Sequence, residues 1–76
     1  MFKATILTPD HILYEGEAES VFLPGATGEF EILEFHKPII SLLKEGNIII
    51  DWKREIPIKV GAVMMSGPSL VAIVEE

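Results

Sequence analysis

The chain has 76 residues, no cysteine and a formal charge of −6. That bounds it to one domain near the lower size limit for a self-sufficient core, with no disulfide, thiolate metal site or thiol nucleophile. Six scattered cations make no basic face for nucleic acid or anionic lipid, and no apolar run approaches the roughly 20 residues of a membrane-spanning helix.

Phe2, Ala4 and Ile6 alternate with Lys3 and Thr5, which predicts a half-buried opening strand. No apolar leader core follows Met1-Phe2-Lys3, so the expectation is a soluble, cytosolic chain. Turn signals fall at Pro9-Asp10, Glu15-Gly16, Pro24-Gly25, Gly28, Glu45-Gly46-Asn47, Trp52-Lys53-Arg54 and Ser66-Gly67-Pro68. Their spacing is about 8 to 12 residues for much of the chain, as in a sandwich or barrel. Within Leu23 to Leu33, Pro24 suits the first corner of a turn, and Gly25 and Gly28 can take positive φ. Phe30 and Ile32 then share one face of a new strand.

Ile39 to Lys44 is the one helix-like candidate, about one turn, stopped by Gly46. Ile48 to Ile50 is a continuous apolar run, as in a strand covered on both faces. Ile56, Ile58 and Val60 alternate with Glu55, Pro57 and Lys59; Pro57 has no N–H to donate, so its strand lies at an edge or starts at Ile58. Leu70 to Val74 is a second continuous apolar run. The expectation is an all-β sandwich or flattened barrel, one domain over residues 1–76. So small a core leaves apolar surface over, which a partner subunit could bury at roughly 25 cal/mol per Å².

Catalytic patterns are weak. Ser20, Ser41, Ser66, Ser69, His11 and His36 form no nucleophile elbow, and Ser66-Gly67-Pro68-Ser69 reads as a hairpin turn. Asp10-His11 and Glu34-Phe35-His36 lack the repeated spacing of a zinc site, so no metal or cofactor is expected. Glu15, Glu17 and Glu19, and Glu29 with Glu31, recur at period two, as on solvated strand faces; a two-carboxylate glycosidase would need a cleft that so short a chain has little room for. Gly25-Ala26-Thr27-Gly28 precedes Glu29 and is no phosphate loop. Val63-Met64-Met65-Ser66 has the methionines of a biotin or lipoate tip without its lysine. Trp52 and Tyr14 are either interface anchors or covers over the end of the core.

The stretch L-P-G-A-T-G-E-F-E-I-L-E-F-H-K-P-I-I-S-L-L-K-E-G, Leu23 to Gly46, resembles the N-terminal domain of the ε subunit of F-type ATP synthases, δ in mitochondrial naming. That family's pattern is roughly L-P-G-x-x-G-E-x-G-[IL]-L-P-G-H-x-P-L-[IL]-x-x-L-K-x-G. The likeness continues at Ala4 to Asp10, Tyr14 to Val21, Val60 to Val63 and Ser69 to Glu75, so it spans essentially the whole chain. Departures are Glu31 for the usual Gly, Glu34-Phe35 for Pro-Gly, and Val60 for the first Gly of a pair.

The resemblance implies a ten-stranded sandwich in the central stalk of the rotor, packed on γ, with its bottom loops on the c-ring. It implies no chemistry in the domain itself; the role is torque transmission between c-ring and the nucleotide sites of α and β, which it meets indirectly. Position by position, it makes Thr27, Gly28, Glu29 and His36 candidate c-ring contacts, and Thr8, His36 and Ser41 candidate γ contacts. It places the chain peripherally on the cytoplasmic side of a bacterial inner membrane, without lipid insertion. Family members mostly continue into a helical hairpin that can bind ATP or inhibit hydrolysis; this sequence ends at Glu76, so coupling and assembly are expected of it without those two functions. The alternative is a small all-β assembly module of another complex.

Overall fold

The computed structural model describes residues 1–34 and 37–76. Nine strands run in chain order: β1 (Phe2–Leu7), β2 (Ile12–Ala18), β3 (Ser20–Leu23), β4 (Phe30–Leu33), β5 (Ile39–Leu43), β6 (Gly46–Ile50), β7 (Arg54–Ile58), β8 (Val60–Ser66) and β9 (Ser69–Glu75). They form a five-stranded sheet, β2-β1-β9-β8-β5, and a four-stranded sheet, β4-β3-β6-β7. The pairs are antiparallel except β1 with β9. An isolated bridge from Gly25 to Leu43 ties the two sheets at one margin. The fold is therefore a sandwich and not a closed barrel, and the described residues hold nine strands where ten were expected.

The core follows from period-two alternation. Phe2, Ala4 and Ile6 of β1 point inward, as do Val63 and Met65 of β8 and Leu70, Ala72 and Val74 of β9. Val21 and Leu23 of β3, Ile48 and Ile50 of β6, and Ile56 and Ile58 of β7 meet them from the other sheet. Burying each of the Val, Leu, Ile, Phe and Met side chains among them is worth about 1.5–3 kcal/mol. Pro57 sits in β7, an edge strand, as its missing donor requires.

Four expectations need correction. Ile39 to Leu43 is β5, paired with β8 from Ile39 opposite Met65 to Leu43 opposite Gly61. One helical turn would fix several dihedrals for a single hydrogen bond, whereas a strand beside β8 gains a ladder. Gly46 accordingly opens β6 and ends no helix. The runs 48–50 and 70–74 are not covered on both faces: Ile49 is half-buried and Ile73 exposed, because a two-layer sandwich covers only the inner face of each sheet. Glu15-Gly16 is no turn but the middle of β2, with Gly16 opposite Ala4. Finally, the alternation through Ile56 and Ile58 breaks at Lys59, where the chain crosses between sheets, so Val60 faces outward.

The β6–β7 turn holds Asp51 and Trp52 at φ 54° and 55°, and Lys53 N–H closes it on the Ile50 carbonyl at 3.0 Å. Both central φ values are positive, as in the hairpin turns whose twist matches the strands. Asp51 Oδ1 accepts the N–H groups of Glu19 and Ser20 at 2.8 and 3.0 Å, which fastens this turn to the β2–β3 crossing.

Candidate functional site

The loop after β3 is built by two consecutive bends. Gly25 N–H donates to the Leu23 carbonyl at 3.1 Å, a three-residue bend centred on Pro24, whose ring fixes φ. Gly28 N–H then donates to the Gly25 carbonyl at 3.1 Å, so the corners of the β-turn are Ala26 and Thr27. Pro24 thus precedes that turn instead of taking its first corner. The glycines also divide the work differently from expectation. Gly28 has φ 149°, while Gly25 is not a positive-φ residue. Gly25 is needed for space: a Cβ there would lie 2.8 Å from the Phe30 ring and run into the Gly28 carbonyl.

Backbone bonds brace this loop against the β5–β6 connection. Ala26 N–H donates to Leu42 O and Lys44 N–H to Pro24 O, both at 2.9 Å. Gly46 lies so close that an added Cβ would be 2.8 Å from the Pro24 ring. Thr27, Gly28 and Glu29 are all exposed on this platform.

The other candidate residues are dispersed. β1 and β5 run in the same direction, so Thr8 and the 25–29 loop lie at the same end of the sandwich, with β9 and β8 between β1 and β5. Thr8 is buried: Oγ1 accepts the N–H groups of Asp10 and His11 at 3.1 Å and donates to the His11 carbonyl at 3.3 Å. Its hydroxyl is thus spent on its own turn. Ser41 is half-buried opposite Val63 and donates to the Leu42 carbonyl at 3.3 Å. His36 lies outside the described residues. Glu34 pairs with the Met1 amine at 2.6 Å and follows the far end of β4 from Glu29, a strand length of about 13 Å away.

The outer face of the five-stranded sheet is what sequence reading missed. One cross-strand row reads Leu42, Ala62, Ile73, Leu7, Ile12, and the next begins Ile40, Met64, Val71. Ile40 is 80% exposed, Leu42 67% and Ile73 53%. At the β5–β8 margin the face dips into a groove of about 450 Å³ lined by Pro38, Ile40 and Met64. The available signal was the run Ile39-Ile40-Ser41-Leu42-Leu43, but its apolar residues on both faces gave no alternation to show which pointed out.

Tyr14 and Trp52 part company. Tyr14 packs against the core, donates to the Glu17 carbonyl at 3.1 Å and carries the Arg54 guanidinium 5.7 Å above its ring. It covers the open β2–β7 side. Trp52 is 61% exposed. Among the described residues no three His, Cys, Asp or Glu side chains gather as a metal site would require.

The site is thus a braced polar loop and a broad apolar sheet face, carried by a sandwich with one continuous core. The family model described as "ATP synthase, Delta/Epsilon chain, beta-sandwich domain" matches residues 1–73, and the chain belongs to that family. It is 37% identical to the ATP synthase epsilon chain of Sulfurimonas denitrificans, over 93% of this chain and 69% of that one. It is 42% identical to the ATP synthase epsilon chain of a Nitratiruptor species, over 96% of this chain and 60% of that one. A chain in the cryo-EM structure of the Tetrahymena thermophila mitochondrial ATP synthase central stalk and c-ring shares the fold, with a TM-score of 0.78 at 14% identity, over 97% of this chain and 63% of that one.

Proposed function

We propose that this chain is a non-catalytic central-stalk subunit of a rotary F-type ATP synthase, linking γ to the c-ring and supporting the coupling of proton translocation to ATP synthesis. The observation that carries the reading is the exposed apolar face around Ile40, Leu42, Met64 and Ile73, on a chain of the delta/epsilon family. Exposed apolar side chains in continuous cross-strand rows favour a permanent partner. We assign that face to γ; Ser41, between Ile40 and Leu42 on the edge strand, has the opposite phase and turns towards the inner side with Val63. The braced loop Thr27–Glu29 is assigned to the polar loops of the c-ring: it is exposed, acidic and fixed by backbone bonds to β5 and its exit. A two-sheet core suits torque transmission because packed interiors deform little. α and β are met indirectly, through γ. The complex would sit at the cytoplasmic face of a bacterial inner membrane; no helix among the described residues is long and apolar enough to cross it.

The test is affinity capture of tagged variants from detergent-solubilised membranes. Ile40→Asp with Leu42→Asp is expected to lower γ recovery at least about tenfold, as for central interface residues. Glu29→Lys is expected to keep γ but reduce ATP-driven proton pumping. Undiminished γ recovery with the double variant would remove the assigned face. Capture of the unaltered chain without α, β, γ and c would favour the assembly module of another complex.

A further inference from the structure

The second sheet has its own exposed surface, on the opposite side of the sandwich from Ile40 and Leu42. We propose that its Trp52 corner docks a basic, partly apolar segment of another protein chain, with an arginine or lysine seated against the indole. The Trp52 ring lies 5.3 Å from that of Phe22, tilted by 45°, and its Nε1–H donates to Glu31 Oε2 at 3.1 Å. The indole is therefore held by one ring contact and by its Nε1 edge, while most of it stays in water. Beside it runs a groove of about 470 Å³ lined by Glu19, Glu31, Leu33, Asp51, Trp52 and Lys53. Leu33, like Trp52, is more than half exposed, so the floor is apolar surface that water covers poorly.

The rim decides what fits that floor. Three carboxylates face one ammonium, and among the described residues Glu19, Glu31 and Asp51 make no ion pair. Two of the three are held in place: Asp51 by the Glu19 and Ser20 amides, Glu31 by the indole. A cation arriving here would meet fixed acceptors and an aromatic face together. That combination suits a guanidinium, which stacks on aromatic rings and binds carboxylates through a planar fork. The same charge repels nucleic acid and anionic lipid. A long basic side chain with apolar neighbours would cover Leu33 and Trp52 at once. This surface uses the sheet opposite the one assigned to γ, so the two can stand or fall separately.

The probe is a short synthetic peptide alternating leucine and arginine, with a counterpart carrying glutamate in place of arginine. Trp52 is the sole tryptophan, so its emission reports the site directly. The arginine peptide is expected to shift that emission to the blue in a saturable way and to move the amide resonances of residues 19, 31, 33 and 51–53; the glutamate peptide should do neither. By calorimetry, Trp52→Ala should weaken binding roughly tenfold. Trp52→Phe, which keeps an aromatic face, should lose less. Glu31→Gln should cost about threefold, as for an exposed charge, and the effect should shrink in high salt. Glu15→Gln, on β2 of the other sheet, should change nothing. Resonance shifts centred on Ile40 and Leu42, an even spread over the acidic surface, equal losses from Glu15→Gln and Glu31→Gln, or unmoved emission would each overturn the proposal. None of those results touches γ recovery by the Ile40 and Leu42 face.

Discussion

An added Cβ at Gly25 would lie 2.8 Å from the Phe30 ring, whereas at Gly28 it would meet nothing within 4 Å but would sit on a φ of 149°. The first glycine is required by crowding, the second by backbone conformation. Gly25→Ala and Gly28→Ala should each cost about 1–3 kcal/mol in urea unfolding, for these different reasons. A double-mutant cycle separates them. Trimming the ring with Phe30→Leu should relieve part of the Gly25→Ala cost, giving a coupling of about 0.5 kcal/mol or more, and should leave Gly28→Ala additive. Equal coupling in both cycles would mean that the ring contact is not what excludes a side chain at Gly25. Asp51 shows the same dependence on distant groups: its carboxylate satisfies the Glu19 and Ser20 amides, 32 and 31 residues away in sequence.

β1 was legible because its inward residues alternate with Lys3 and Thr5, which want water. β5 was misread and β9 half-read because nearly every residue in them is apolar, and period two says nothing when both phases are hydrophobic. β7 was placed correctly by one residue. Pro57 stands opposite Asn47 in an antiparallel ladder, so the position without an N–H costs nothing only if it faces the open margin. That margin is then a guarded edge. Pro57→Val should restore a donor there and promote strand-to-strand self-association, visible as a concentration-dependent rise in sedimentation mass. A mass that stays monomeric at all concentrations would show that Pro57 guards nothing. The loop at 25–29 was legible as a turn, but its corners were not. Which residues take the corner depends on Leu42, Pro24 and Lys44 meeting across the sheet margin.

The whole molecule presents two exposed faces back to back around one thin core. With a charge of −6, copies repel one another at neutral pH despite their apolar faces. That repulsion vanishes near the isoelectric point of about 4.8. Light scattering should therefore rise as pH falls from 7 towards that value, and Ile40→Asp with Leu42→Asp should suppress the rise. Flat scattering through the isoelectric point would mean that charge is not what keeps the faces apart. The sequence alone determined the all-β class, the family, the acidic surface and the turn-rich loop, because alternation, punctuation and charge are local properties of a chain. The packing of distant strands decided the rest: that β5 is a strand, that Ile40 and Leu42 point outward, and that Trp52 shares a corner with Glu31. Each of those depends on which strand lies beside which, and strand pairing joins residues far apart in sequence through hydrogen bonds that every peptide unit can make.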